Sequence, residues 1–261
     1  MLNVSSYLNR ISYDGPTAPT IEVLRALHRA HMLGVPFENL DIALGHKIVL
    51  NEEALLRKIV DHRRGGFCYE LNGAFSALLR ALGFQVTLLS ARVARPNGGE
   101  GPEFDHLALR VDLDEPWLAD VGFGESFVEP LRLKAGIEQL DPAGNFRLVQ
   151  LEDRFQMERY EPDGGWKRQY SFSLHPHELR DYSRMCRHHQ TSSDSSFTRN
   201  RICSLALPDG RITLSEMNFI VTRNGRREER MLNSEQERSA LLQDQFGIIE
   251  PPAVFGPGDG E

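Results

Sequence analysis

A cysteine preceded by two glycines marks the most chemically suggestive stretch of this 261-residue chain, Arg63-Arg64-Gly65-Gly66-Phe67-Cys68-Tyr69-Glu70-Leu71-Asn72. The apolar spacing that follows (Leu71, Phe75, Leu78, Leu79 and Leu82) predicts an amphipathic helix that Gly83 ends. Cys68 therefore falls in the first turn of that helix. Unpaired N–H groups and the partial positive charge of a helix N-terminus favour a thiolate there. With an imidazolium partner, such a setting brings a cysteine pKa down to about 3.5–7.5. The same N–H groups suit the oxyanion of a tetrahedral intermediate. Gly65 and Gly66 let the backbone turn sharply and leave room for a ligand. A lone cysteine is equally compatible with a buried, inert thiol, and the two glycines and the helix start are what favour reactivity. Cys186, on a helix face, and Cys203, inside a strand-like run, read as inert.

A cysteine nucleophile gains from a nearby imidazole, and the imidazole gains from a group that fixes its tautomer. Nine histidines are available. His28, His31 and His62 fall on predicted helices, His46 in a loop, and His188 and His189 near a helix end. His175 and His177 flank Pro176, where a turn is expected. His106 differs. It begins an alternating run to Asp112, with Leu107, Leu109 and Val111 on one face and His106, Ala108 and Arg110 on the other. Asp120 holds a similar place on the next strand-like run, just before Gly122-Phe123-Gly124. Adjacent antiparallel strands bring such side chains within hydrogen-bonding reach. A carboxylate among Trp117, Leu118, Ala119 and Val121 is costly without a partner. Spacing leaves a second reading open, in which Asp120 caps a turn and His106 is merely nearby. The first reading gives a triad: Cys68 as nucleophile, His106 as base, Asp120 as the group that orients the base.

Up to Gly83 the elements that would hold these residues are helical. Ile21, Leu24, Leu27 and His31 share one face, and Asn51 caps a second helix bearing Leu55, Leu56, Ile59 and Val60. The Cys68 helix is the third. From Phe84 the pattern changes to short runs: 84–93, 106–112, 117–121, 146–151, 155–160 and 166–172. Pro96-Asn97-Gly98-Gly99 and Pro162-Asp163-Gly164-Gly165 supply turns between them. This predicts an antiparallel sheet or barrel. The last third is mixed. Leu179, Tyr182 and Cys186 fit a helix face, residues 191–196 a polar, serine-rich loop, and Pro208-Asp209-Gly210-Arg211 and Asn224-Gly225 two hairpin turns. Ser234 and Glu237 form a capping box for a closing helix that ends near Gly247, and the Pro/Gly-rich tail 251–261 is expected to fray.

Composition bounds the function. Hydrophobic residues make up 40% and charged residues 26%, as in an ordinary globular protein. The net charge of −7 argues against nucleic acid or an anionic membrane as the main partner. Three cysteines without a C-x-x-C pair make a disulfide framework unexpected and point to a reducing cytoplasm. Residues 1–15 lack the basic and apolar regions of a secretion signal, and no run approaches the roughly 18 apolar residues of a membrane span. Neither H-E-x-x-H nor paired Cys/His spacing occurs, so no metal is expected.

Four segments together resemble one enzyme family. Arg64-Gly65-Gly66-Phe67-Cys68-Tyr69-Glu70-Leu71-Asn72 is similar to the signature R-G-G-x-C-x-E-L-N of the arylamine N-acetyltransferases. Pro36-Phe37-Glu38-Asn39-Leu40, Phe104-Asp105-His106-Leu107 and Asp120-Val121-Gly122-Phe123-Gly124 followed by Pro130-Leu131 resemble three further segments, in the family's order. Residues 191–197 resemble the family's serine-rich loop but lack its proline. The resemblance implies an α+β fold: a helical bundle carrying the nucleophile (1–83), an antiparallel β-barrel carrying histidine and aspartate (84–173) and an α/β lid (174–261). It implies acetyl-coenzyme A as acyl donor and an arylamine, arylhydrazine or N-arylhydroxylamine as acceptor, with Cys68, His106 and Asp120 as the triad. It further implies that Phe37, Val93, Phe123 and Phe197 line the acceptor pocket, that Gly122 and Gly124 approach the coenzyme, and that Glu38 pairs with Arg64. A monomer or homodimer with no metal is expected. Two related activities remain open: a Cys-His-Asp amide synthase, and a hydrolase of transglutaminase or protease type.

Overall fold

The computed structural model describes residues 2–96 and 98–254. Asn97 of the expected turn and residues 255–261 of the expected frayed tail lie outside the described residues. The first stretch holds α1 (Val4–Arg10), α2 (Ile21–Gly34), β1 (Phe37–Glu38), α3 (Leu40–Ala43), α4 (Glu52–Leu56) and α5 (Cys68–Ala81). Thr20 and Asn51 cap α2 and α4, accepting the N–H groups of Val23 and Ala54. A π-helical turn, Arg57–Asp61, continues α4. The periodicity did not predict α1; seven residues are too few to show a repeat, and its Asn3 cap is the local signal. Every α5 residue from Cys68 to Leu79 is buried, so the predicted stripe is really a helix enclosed on all sides.

The middle stretch forms β2 (Gln85–Val93), β3 (His106–Asp112), β4 (Pro116–Ala119), β5 (Leu131–Arg132), β6 (Glu138–Asp141), β7 (Gly144–Gln150), β8 (Phe155–Glu161) and β9 (Gly165–His177). They make one antiparallel sheet, ordered β5-β4-β3-β2-β9-β8-β7-β6, that curls into a nearly closed barrel. One side chain bridges its two edges: Gln139 in β6 accepts from the Arg132 N–H of β5 (2.7 Å) and donates to the Arg132 carbonyl (3.1 Å). Leu89, Ala108, Leu118, Phe127, Phe146, Met157, Tyr170 and Phe172 pack into one cluster on the barrel side. Leu107, Leu109 and Val111 on the other face of β3 join the core around α5. This shared core is why α5 and β3 lie against each other.

β9 runs further than residues 166–172, through His175, Pro176 and His177, where a turn was expected. Leu88 pairs with His177 and Leu89 with Pro176, and the ladder shifts register between Leu89 and Ala91. That irregularity accommodates a residue without an N–H. Residue 173 lies inside β9, and residue 83 lies between α5 and β2.

A 3₁₀ turn (Leu179–Tyr182) then leads to α6 (Ser183–Thr191), α7 (Ser196–Arg199), β10 (Ile202–Leu207), β11 (Gly210–Ser215), β12 (Asn218–Arg223), β13 (Arg226–Met231) and α8 (Glu235–Phe246). The serine-rich loop is thus confined to residues 192–195. β1 from the first stretch adds to the edge of this second sheet, giving the order β1-β10-β11-β12-β13. Asn224 and Gly225 take φ of 48° and 76°, as a tight hairpin turn requires. Among the described residues, no helix is long and apolar enough to cross a membrane.

Candidate active site

The turn before α5 is held from several sides. Arg63 adopts φ 51°, and a Cβ on Gly65 would lie 2.0 Å from the Pro36 carbonyl oxygen, so only glycine fits. The Glu38 N–H donates to the Gly66 carbonyl at 2.9 Å, which lays β1 beside the two glycines. Buried Arg10 of α1 donates to the carbonyls of Ile59, Gly34, Arg63 and Arg64. The Glu70 carboxylate accepts the Phe67 N–H (3.1 Å) at the start of α5 and pairs with Lys58 (2.8 Å).

Behind this turn lies a buried charge cluster. Arg64 donates through Nε (3.1 Å) and Nη2 (2.8 Å) to Glu38 and through Nη2 to Asp41 (3.0 Å). The Glu38–Arg64 pairing expected from the sequence is present, and Lys58 bonds Asp41 as well at 2.8 Å. Three carboxylates thus face two cations. Burial pushes the Glu70 carboxyl up to about 7, with Lys58 opposing and Glu38 adding to the rise. Burial also acts against the charge on Lys58, but Glu38, Glu70 and Asp41 outweigh it and hold its pKa above the ordinary value.

β3 and β4 bring His106 and Asp120 together as expected. His106 Nε2 lies 2.7 Å from Asp120 Oδ2, and both side chains are buried. The alternative of a turn-capping Asp120 is therefore only half the account: its other oxygen accepts the Gly122 N–H at 3.0 Å. Asn72 ties this pair to the cysteine helix. Cys68 and Asn72 stand four residues apart on α5 and so share a face. Asn72 Nδ2 donates to Asp120 Oδ1 (2.8 Å) and to the Leu107 carbonyl (2.6 Å), and its Oδ1 accepts the Val121 N–H (3.0 Å). Burial works to raise the Asp120 carboxyl, but His106, Asn72 and Gly122 together hold it below the usual value.

The cysteine meets opposing influences. Burial pushes the Cys68 thiol well above its ordinary value; the Leu107 N–H, one residue past His106, acts in the other direction, and the charges of Asp120 and Asp105 add to the rise. Enclosure of the first turn of α5 leaves no local trace in the sequence, so the burial of Cys68 is visible only in the structure. A thiolate here depends on a cation beside it.

The other expected site residues are spread around this centre. The Phe123 ring packs edge-on against His106 (5.1 Å between centroids) and against Tyr170 (5.0 Å). Val93 pairs with Tyr170 across β2 and β9. Phe197 lies 6.2 Å from Phe37, 5.7 Å from Phe67 and 5.2 Å from His189, and Phe37 borders Gly124. The two glycines differ. A Cβ on Gly122 would lie 2.7 Å from Cys68 Cα and from Asn72 Nδ2, so this glycine lets the loop touch α5. Gly124 takes φ 79°, and a Cβ there would meet only the Phe37 ring, at 3.8 Å or more.

Sequence reasoning gave no role to several residues that hold the site. For Asn72 the sequence signal is its four-residue spacing from Cys68, which places both on one helix face. Asn39 accepts the Ile202 N–H (2.7 Å) and donates to the Phe197 (3.0 Å) and Asn200 (2.7 Å) carbonyls, which fixes the Phe197 segment. Tyr69 donates its hydroxyl to the Phe104 carbonyl (2.5 Å) just before His106. These are long-range contacts with no local pattern.

A cavity of about 710 Å³ opens between the loop after Gly124 and the second sheet, lined in part by Glu125, Arg159, Arg211 and Arg227. Arg211 donates to Ser204 Oγ at 3.0 Å, and among the described residues no carboxylate lies within ion-pair distance of it. Burial lowers its pKa to about 10. Ser204 is the register partner of Phe37. Among the described residues, no cluster of three or more His, Cys, Asp or Glu side chains could hold a metal ion.

Known proteins share this arrangement of chain. The N-acetyltransferase family model matches residues 20–250. The arylamine N-acetyltransferase of Escherichia coli (strain K12) is 36% identical, over 97% of this chain and 91% of that protein. The solved structure of the Salmonella typhimurium arylamine N-acetyltransferase superposes with a TM-score of 0.89 at 35% identity, covering 100% of this chain and 95% of that one. That of the Mycobacterium marinum enzyme in complex with CoA gives 0.88 at 34% identity, covering 94% and 93%. Agreement at this level along nearly the whole length makes the chain a member of the arylamine N-acetyltransferase family.

Proposed function

We propose that the protein transfers an acetyl group from acetyl-coenzyme A to an arylamine, arylhydrazine or N-arylhydroxylamine through an acetyl-Cys68 intermediate. The observation that carries this reading is Asn72, which joins the Cys68 helix to the carboxylate that holds His106. With Nε2 engaged by Asp120, Nδ1 is the ring nitrogen left to take a proton. Transfer of the Cys68 proton to Nδ1 makes a thiolate and an imidazolium together. That pair, unlike a solitary thiolate, is compatible with the burial of the sulfur.

The thiolate attacks the thioester carbonyl. First-turn N–H groups of α5 stabilise the oxyanion. The carbon–sulfur bond to the coenzyme breaks, and the imidazolium returns its proton to the departing coenzyme thiolate. The amine then attacks acetyl-Cys68, His106 takes the amine proton, and the amide leaves as the Cys68 thiolate is regenerated.

Phe37, Val93, Phe123 and Phe197 form the apolar wall for a flat acceptor, a composition suited to an aryl ring. For the coenzyme, the close packing of Gly122 on α5 leaves Gly124 as the glycine with open space. The Arg211 cavity beside it offers a half-buried cation for a phosphate. The three cysteines are free, which suits a reducing compartment such as the cytoplasm.

Initial rates measured over a grid of acetyl-coenzyme A and arylamine concentrations test this reading. Parallel double-reciprocal lines are expected, since the coenzyme leaves before the amine reacts. Intersecting lines would remove the acyl-enzyme. Amide cleavage without donor dependence would favour the hydrolase, and activity restricted to a tethered acyl-amine would favour the amide synthase.

A further inference from the structure

His28 is buried in the middle of α2, a place where a histidine needs a reason. Its Nε2 accepts the Asp120 backbone N–H at 3.1 Å, and its Nδ1 lies 2.8 Å from the Val128 carbonyl oxygen. The first contact fixes the tautomer. A nitrogen that accepts an N–H carries no proton, so the ring proton sits on Nδ1 and is donated to Val128. The ring stacks on Phe127 (5.7 Å, 20° between planes) and meets the edge of Phe75 (5.9 Å, 83°). One neutral imidazole therefore pins both ends of the segment 120–128, which carries Gly122, Phe123 and Gly124.

We infer that His28 is a positioning residue for acyl transfer, holding the Asp120 backbone so that its carboxylate stays aligned on His106. The inference rests on the proposed roles of Cys68, His106 and Asp120. An apolar side chain of similar size would fill the space but leave the Asp120 N–H and the Val128 carbonyl unpaired in the interior. The segment would then be free to shift, and Asp120 with it. Burial lowers the His28 pKa to about 4, so the ring keeps its acceptor near neutral pH. Glutamine can mimic the bridge, because its amide accepts through oxygen and donates through nitrogen. Methionine cannot donate as His28 does and accepts only weakly.

The test compares His28→Met with His28→Gln, reading the pH profile of Cys68 alkylation by iodoacetamide beside kcat and KM. The methionine variant is expected to move the alkylation midpoint upward by about one pH unit and to lower kcat about tenfold. KM for acetyl-coenzyme A should change less than about twofold, and the glutamine variant should regain most of the loss. Phe127→Leu, which weakens packing but keeps the bridge, should lower the melting temperature without moving the alkylation profile. A methionine variant with the parent profile, or a glutamine variant as impaired as methionine, would overturn the inference. Should the variants fail to fold, ¹⁵N chemical shifts of the parent protein decide: a protonated His28 Nε2 would overturn it, and an unprotonated Nε2 with a protonated Nδ1 would support it. A parent alkylation profile with no inflection below that of an ordinary thiol would overturn the triad and this inference together. A parent profile with that inflection, unmoved in His28→Met, would overturn the inference alone.

Discussion

Replacing Asp120 with asparagine is expected to lower kcat/KM for acetyl transfer about 10⁴-fold, the loss seen when the orienting carboxylate of a serine-protease triad becomes an amide. The environment of Asp120 makes the reason specific. Its carboxylate accepts from His106, from Asn72 Nδ2 and from the Gly122 N–H. An asparagine must aim its NH₂ group at one of these donors. If that group faces His106, Nε2 has to accept, the ring proton moves to Nδ1, and the base is lost to the wrong tautomer. If it faces Asn72 and Gly122 instead, two buried donors lose their partner. Steady-state kinetics on a variant shown by circular dichroism to be folded would check this. A loss smaller than about tenfold would remove Asp120 from the role of orienter.

The second large effect concerns folding. Arg64→Ala is expected to destabilise the protein by about 3–5 kcal/mol, because it removes one partner of a buried ion pair and leaves the other uncompensated. Glu38 is fully buried, and its Oε1 receives both Arg64 contacts. Its Oε2 accepts the Leu40 N–H, so the side chain cannot swing to solvent without losing that bond as well. Lys58 stays nearby, 3.8 Å from Glu38 Oε1, but already serves Asp41 and Glu70. The melting temperature should fall on the order of 10 °C. Arg64→Lys should recover only part of this, since an ammonium lacks the planar fork that reaches Glu38 and Asp41 together. An alanine variant melting within about 2 °C of the parent would show that the cluster contributes little to stability.

Elements with strong local patterns were legible in the sequence. The alternation of β3, the Asn224-Gly225 turn and the Ser234 cap each express a rule acting over a few residues, and each is present, while the apolar spacing of α5 marked a helix there but not its enclosure on all sides. The His106–Asp120 pair was legible for a related reason: His106 opens the apolar strand β3, and Asp120 directly follows the neighbouring apolar strand β4. What stayed hidden depends on partners far along the chain. His28 read as an ordinary helix histidine because its partners lie 92 and 100 residues away. The strand through Pro176 was hidden because proline signals a turn, and only the irregular pairing with β2 accommodates it. The burial of Cys68 followed from enclosure of α5 by β3 and the α6 region, which no periodicity along α5 records.

The central claim is that one buried sulfur carries the acetyl group between donor and acceptor. Intact-protein mass spectrometry after mixing the enzyme with acetyl-coenzyme A alone addresses it directly, with peptide mapping to locate any adduct. A single acetyl group on Cys68, removed on addition of an arylamine, is the predicted result. Acetylated product formed at an undiminished rate by Cys68→Ala, or an enzyme that never gains the group while turning over, would contradict the account.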